Sequence, residues 1–155
     1  MSFKVNIDVT KEITLSCDFD TAFEIFSNVR KMAEFFPDVD KLEDMSGNAW
    51  KWTMKSVGIS KYSMAVQYAA KYVFNKDECW IRWSPVAGIG NGVNSGSAKI
   101  RKAGPKTTVV DFATSLELEI PFSSLAKPIL KPFVESQFTA TLEKFEQNVI
   151  NGVRG

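Results

Sequence analysis

The chain has 155 residues, enough for one domain with its own core, and a single domain over residues 1–155 is expected. Nineteen basic and eighteen acidic residues leave a net charge of +1, and no run of Lys and Arg appears, so there is no electrostatic case for a nucleic-acid or anionic-membrane partner. Histidine is absent, which excludes Ser-His-Asp and Cys-His catalysis and removes the commonest transition-metal ligand.

The first element is a half-buried strand over residues 3–17, where Val5, Ile7 and Val9 alternate with Lys4, Asn6 and Asp8. Asp18 and Asp20 then offer N-caps to a helix that carries Ala22, Phe23, Phe26 and Val29 on one side. A second short helix over residues 30–36 stops at Pro37. Strands follow over residues 39–45, 49–57, 61–74, 79–84, 97–102 and 107–120, separated by turn residues. In the second of these, Trp50, Trp52 and Met54 face one way and Lys51, Thr53 and Lys55 the other. In the strand over 61–74 a single bulge would swap the faces, so its parity stays open. Short connections between consecutive strands favour an antiparallel meander.

Pro121 ends the last strand, and the period turns helical. Leu125, Ile129, Phe133, Val134, Phe138, Leu142, Phe145 and Val149 recur at three and four residues. Pro128 and Pro132 near the start predict a bent or broken lead-in up to Lys131 and a continuous helix from Pro132 to about Asn151.

Cys17 and Cys79 form no CxxC pair and read as reduced thiols in a cytoplasmic protein. The opening MSFKVNIDVTKE lacks the apolar core of a signal peptide, and no apolar run approaches the roughly 20 residues that span a bilayer. No stable membrane insertion is expected, and neither a metal nor a cofactor is implied.

The order of strand, two short helices, about six strands and a long C-terminal helix resembles the helix-grip fold of the START-like superfamily, also called SRPBCC or Bet v 1-like. FDTAFEIFSNVRKMAEFFPDV, ECWIRW, NSGSAKIRKAGPKTTVVDFATSLELEIP and ATLEKFEQNV are similar to the polyketide cyclase/dehydrase-like branch. The resemblance implies an α+β fold in which a curved antiparallel sheet of about seven strands wraps around the C-terminal helix and encloses an apolar cavity.

Trp50, Trp52, Met54, Met64, Tyr68, Ile81, Trp83, Phe112, Leu116, Phe133, Phe138 and Leu142 are the candidate wall of that cavity, with a solidly packed core as the competing reading. Tyr62, Tyr68, Tyr72, Gln67, Thr114 and Arg82 fall in or beside this set. A polar group among them that faces a cavity would seek a ligand oxygen or water, though internal bonding or exposure is the simpler account.

The stretch WSPVAGIGNGVNSGSAKI carries Gly88, Gly90, Gly92 and Gly96, but it is no phosphate loop. Val93 stands where a dinucleotide fingerprint needs glycine, and a strand follows where a helix should. Strand directions place residues 87–94 at the same end as the 57–62 turn and the 121–131 lead-in. In START domains the loops at this end open and close over the cavity, so the resemblance implies that Gly58, Ile59, Gly88, Gly90, Gly92 and Leu125 form the cavity mouth, with residues 87–94 either a movable flap or a surface loop that simply tolerates glycine.

The function expected from these readings is binding or transport of a hydrophobic small molecule such as a lipid, quinone or polyketide-like aromatic, by a monomer or weak dimer. The alternatives are a cyclase/aromatase-type enzyme, marked by a carboxylate or arginine in the cavity, and an interaction module, marked by a collapsed cavity and an exposed apolar patch. No catalytic residue can be assigned.

Overall fold

The structure is a computed structural model that describes residues 2–59 and 61–153. Strand β1 (Phe3–Leu15) is followed by α1 (Phe19–Ser27) and α2 (Val29–Phe35). Strands β2 (Val39–Asp44), β3 (Ala49–Ile59), β4 (Tyr62–Asn75), β5 (Trp80–Pro85), β6 (Gly92–Gly104) and β7 (Thr107–Ile120) come next. A 3₁₀ turn (Ser124–Ala126) leads into α3 (Lys127–Val153). The seven strands form one sheet in the order β1-β7-β6-β5-β4-β3-β2, with every pairing antiparallel. Ser60, part of the expected turn after β3, lies outside the described residues.

Local chemistry sets the helix ends. Asp18 caps α1 by accepting the Thr21 amide at 2.9 Å, and Asn28 both ends α1 and caps α2 by accepting the Lys31 amide at 3.1 Å. Pro128 occupies the first turn of α3, where its missing N–H costs nothing. Pro132 removes only one bond, near the start of a 27-residue helix. The expected break before Pro132 is therefore absent.

The inward stripe of α3 also differs from expectation at its start. Ala126, Leu130 and Val134 face the sheet, whereas Leu125 is 90% and Ile129 50% exposed. Several apolar residues share that stretch, and the 3₁₀ turn shifts the phase of the first ones.

β1 pairs with β7 along its whole length, from Phe3↔Ile120 to Leu15↔Thr108. The even residues of β7 and odd residues of β1 face α3, which packs most closely along β1. Lys11 is one of these inward residues on an edge strand, and it pairs with Glu146 of α3 at 3.2 Å.

β4 keeps one alternation throughout. The irregularity lies instead on β3, where Met54 faces Val66 and Val57 faces Met64, so that Lys55 and Ser56 oppose Ala65 alone. That bulge turns both Met54 and Val57 inward.

The core divides in two. One cluster centres on Phe26, Trp52, Phe112 and Phe145, and the other on Val5, Met64, Ile120, Leu130 and Val134. Val9 and Phe138 pack against both.

Candidate functional site

Neither the first core cluster nor its seam with the second is completely filled. An inner cavity of about 30 Å³ lies between β3–β7 and α3, lined by Trp52, Tyr68, Tyr72, Trp83, Asn94, Phe112, Thr114 and Leu142, with Met32, Phe36 and Phe138 closing it. An outer cavity of about 90 Å³ is lined by Met54, Val57, Met64, Val66, Leu116, Leu118 and Val134. Phe36, Tyr68 and Phe138 border both and form the partition. The outer cavity reaches the surface between the start of β2 and the middle of α3, at Asp38, Lys55, Gln137 and Thr141.

The two spaces differ in chemistry. The outer wall is apolar up to its rim. The inner wall carries oxygen and nitrogen. Trp52 Nε1 donates to the Tyr72 hydroxyl at 3.0 Å. Asn94 Nδ2 donates to Thr114 Oγ1 at 3.0 Å and to the Ser115 carbonyl at 2.9 Å, and Thr114 passes its own proton to the Ser95 carbonyl at 3.4 Å. Burial raises the phenol pKa of Tyr68. It raises that of Tyr72 too, with Tyr68 adding to the effect and the Trp52 bond opposing it. Both therefore stay protonated at neutral pH and keep a hydroxyl proton to offer.

Of the residues expected on the wall, Trp52, Tyr68, Trp83, Phe112, Phe138 and Leu142 border the inner cavity, and Met54, Met64 and Leu116 the outer one. Trp50 does not reach either. It lies half-buried at the far end of β3, in an open surface groove with Phe74, and the Arg30 guanidinium sits 4.9 Å from its ring centroid. Ile81 is wholly buried core, and Phe133 packs half-buried against the second cluster, so neither lines a cavity. Tyr62 stacks edge-on with Phe122, the Arg82 guanidinium lies over Trp80 on the outer face, and Gln67 meets Asn91 through its backbone.

The expected mouth is displaced. Gly58, Ile59, Gly88, Gly90, Gly92 and Leu125 line neither cavity. Gly92 begins β6 against Tyr68 and Leu116, and Gly88 and Gly90 border a shallow surface groove with Lys4, Glu117 and Glu119.

β5 is too short to separate β4 from β6 along their length, and residues 86–91 fill that gap. The Asn91 side chain accepts from the Gln67 amide at 2.9 Å and donates to the Ala65 carbonyl at 2.8 Å, while its backbone bonds Gln67 and Glu119. The loop is thus joined to β4 and β7 rather than poised over a cavity.

Asn94 and Tyr72 complete the polar inner wall, and Asn94 is not among the site residues expected from sequence. Alternation places the strand start at residue 97, whereas β6 begins at Gly92. Its inward face reads Gly92, Asn94, Gly96, Ala98 and Ile100, and the glycines hide the alternation.

The family model for CoxG, a subunit of carbon monoxide dehydrogenase, matches residues 12–150. Among curated proteins none matches. Solved structures give the same fold at low identity. A START superfamily protein from Mycobacterium smegmatis is 14% identical with a TM-score of 0.68, over 94% of this chain and 96% of that one. The Zhui aromatase/cyclase from Streptomyces sp. R1128 is 14% identical with a TM-score of 0.63, over 96% and 91%. A norcoclaurine synthase point mutant from Thalictrum flavum, in complex with a transition-state analogue, is 13% identical with a TM-score of 0.59, over 97% and 98%. The seven-stranded sheet around a long C-terminal helix is the START-like, helix-grip fold.

Proposed function

The chain belongs to the CoxG family of carbon monoxide dehydrogenase subunits, and from that premise we propose that it holds a hydrophobic small molecule between its sheet and α3. The observation that carries this reading is the apolar outer cavity, which opens at Asp38, Lys55, Gln137 and Thr141 and abuts a second cavity across three side chains.

The volumes set a condition on it. Ligand pockets usually measure roughly 300–1,000 Å³. Cavities of about 90 and 30 Å³ are far smaller, so a lipid, quinone or polycyclic aromatic enters only by moving side chains. Met54 and Met64 are suited to this, because unbranched thioethers repack at little cost. Burying about 200 Å² of apolar ligand surface contributes about 5 kcal/mol at roughly 25 cal/mol per Å². Displacing packed aromatic rings offsets part of that.

The reading is of a binding protein rather than a cyclase. Among the described residues, the titratable groups on the inner wall are two phenols held protonated by burial, and neither a carboxylate nor an arginine lines it. Native mass spectrometry of the purified chain, followed by solvent extraction, tests the proposal. A recurrent apolar molecule is expected. Repeated preparations that carry nothing and bind no lipid, quinone or aromatic probe would remove its support.

A second reading is a protein that docks on a dehydrogenase, since the family name makes CoxG a subunit of carbon monoxide dehydrogenase. Leu125 and Ile129, exposed one turn apart at the start of α3, favour it. Replacing both with serine should then abolish co-elution with a dehydrogenase partner.

A further inference from the structure

We infer that the inner cavity is a recognition point for one neutral oxygen, a hydroxyl or carbonyl, carried on the apolar body of the ligand. This inference rests on the reading of the cavity as a ligand site and specifies the chemistry that site selects.

Both Nδ2 hydrogens of Asn94 are used, on Thr114 and Ser115, while Asn94 Oδ1 has no partner among the described hydrogen bonds. The Tyr68 hydroxyl has none either, and Tyr72 accepts from Trp52 with its own proton unassigned. Asn94 and Tyr72 are 6% and 5% exposed. Yet no side-chain nitrogen or oxygen that is itself sealed from all space lacks a partner among the described residues. The unpaired oxygens therefore open on the cavity rather than being lost in packing.

Two phenolic donors and one amide acceptor can serve a carbonyl, which takes the phenol protons, or a hydroxyl, which also donates to Asn94 Oδ1. Among the described residues no lysine or arginine lines the inner wall, so a carboxylate or phosphate brought there would lose its hydration without a counter-charge. Lys55 lines the outer cavity instead, at its rim. The inner volume of about 30 Å³ exceeds the roughly 10–15 Å³ that a water-sized group needs. It accommodates one oxygen, with the apolar body extending past Tyr68 toward Met54 and Met64.

Three probes of one shape separate the possibilities: 4-butylphenol, butylbenzene and 4-butylbenzoate, titrated into the ¹⁵N-labelled protein and followed by NMR. The phenol should bind at least tenfold more tightly than butylbenzene and shift the Asn94 side-chain amide and the Trp52 indole N–H. The benzoate should bind more weakly than the phenol. Tyr68→Phe removes a hydroxyl that no described bond holds, so the fold is retained, the phenol's advantage falls to less than threefold, and butylbenzene affinity is unchanged. Equal affinity for phenol and butylbenzene, or a phenol advantage that survives Tyr68→Phe, overturns this inference while leaving the apolar cavity standing. If none of the three binds, both readings fall.

Discussion

Trp52 gives its indole proton to the Tyr72 hydroxyl across 3.0 Å, and the two side chains are 2% and 5% exposed. Indole is a donor only, so it needs a partner wherever it is buried. Tyr72→Phe keeps the ring and strands that donor. The expected loss is about 1–3 kcal/mol, read as a lower urea midpoint with an unchanged slope. An unaltered midpoint would show that water entering the inner cavity replaces the phenol.

Gly96 lies beneath Trp83 for a steric reason. A Cβ at that position would collide with the Trp83 ring and with the Ala113 carbonyl. Gly96→Ala should cost about 3 kcal/mol, because neither a packed indole nor a strand backbone can retreat. Gly104→Ala is the control. Its nearest neighbours are Thr107 atoms at 3.6 Å, so the change should stay within about 0.5 kcal/mol. Thermal unfolding of the two variants side by side measures the difference.

Asn91 stands in for a missing stretch of β5. Asn91→Ala leaves the Gln67 amide and the Ala65 carbonyl without their side-chain partner. Hydrogen exchange at the Gln67 amide should quicken at least tenfold, while amides in the β1–β7 ladder keep their rates. If Gln67 exchange is unchanged, residues 86–91 do not depend on this side chain. Gly90 is a poor position for the same test, since its φ is +68° and an added Cβ would strike the Gln67 backbone.

The Asp18 cap carries a pH signature. The Thr21 hydrogen bonds lower its carboxyl pKa below the ordinary value of 3.8, with Lys102 and Lys106 contributing less. A depressed carboxyl stabilises the fold above its unfolded pKa and loses that contribution as pH falls through its folded pKa. Asp18→Asn keeps a capping oxygen without the titration. Wild type should therefore be the more stable protein at pH 7, with the advantage shrinking below about pH 4. A constant difference from pH 7 to pH 2.5 would remove the charge from the account. Denaturant midpoints across that range provide the measurement.

The fold is readable because its signals are periodic and local. Alternation in β1, β3 and β7 and the cap at Asp18 need no knowledge of tertiary contacts. The site is harder to read because it depends on packing across the sheet. Trp50 shares a strand face with Trp52 yet lies beyond the end of the cavity, and alternation carries no information about that distance. The same holds for Ile81, whose inward face is filled by neighbours. Strand counting groups loops by end, and the resemblance puts the mouth at that end, whereas the outer cavity opens at the side, between β2–β3 and α3. Asn94 escapes a sequence reading because its flanking glycines look like a loop, although they are there to admit Tyr68 and Trp83.

Phe138 is the side chain on which the size of the site turns. It borders both cavities, packs against both core clusters and is itself only half-buried. Phe138→Ala should join the inner and outer spaces. A fully buried Phe→Ala change costs about 3–5 kcal/mol, and partial exposure brings the expected loss nearer 2 kcal/mol. The vacated volume is apolar and continuous with the outer wall, so a ligand can refill it. Butylbenzene should therefore raise the melting temperature of Phe138→Ala by several degrees more than that of wild type. Phe74→Ala is the matching control, since Phe74 is 51% exposed at the far end of β4 and lines neither cavity. Its response to butylbenzene should equal that of wild type. Equal shifts in all three proteins would mean that the ligand does not enter the seam, and that Phe138 closes a packing defect rather than a site.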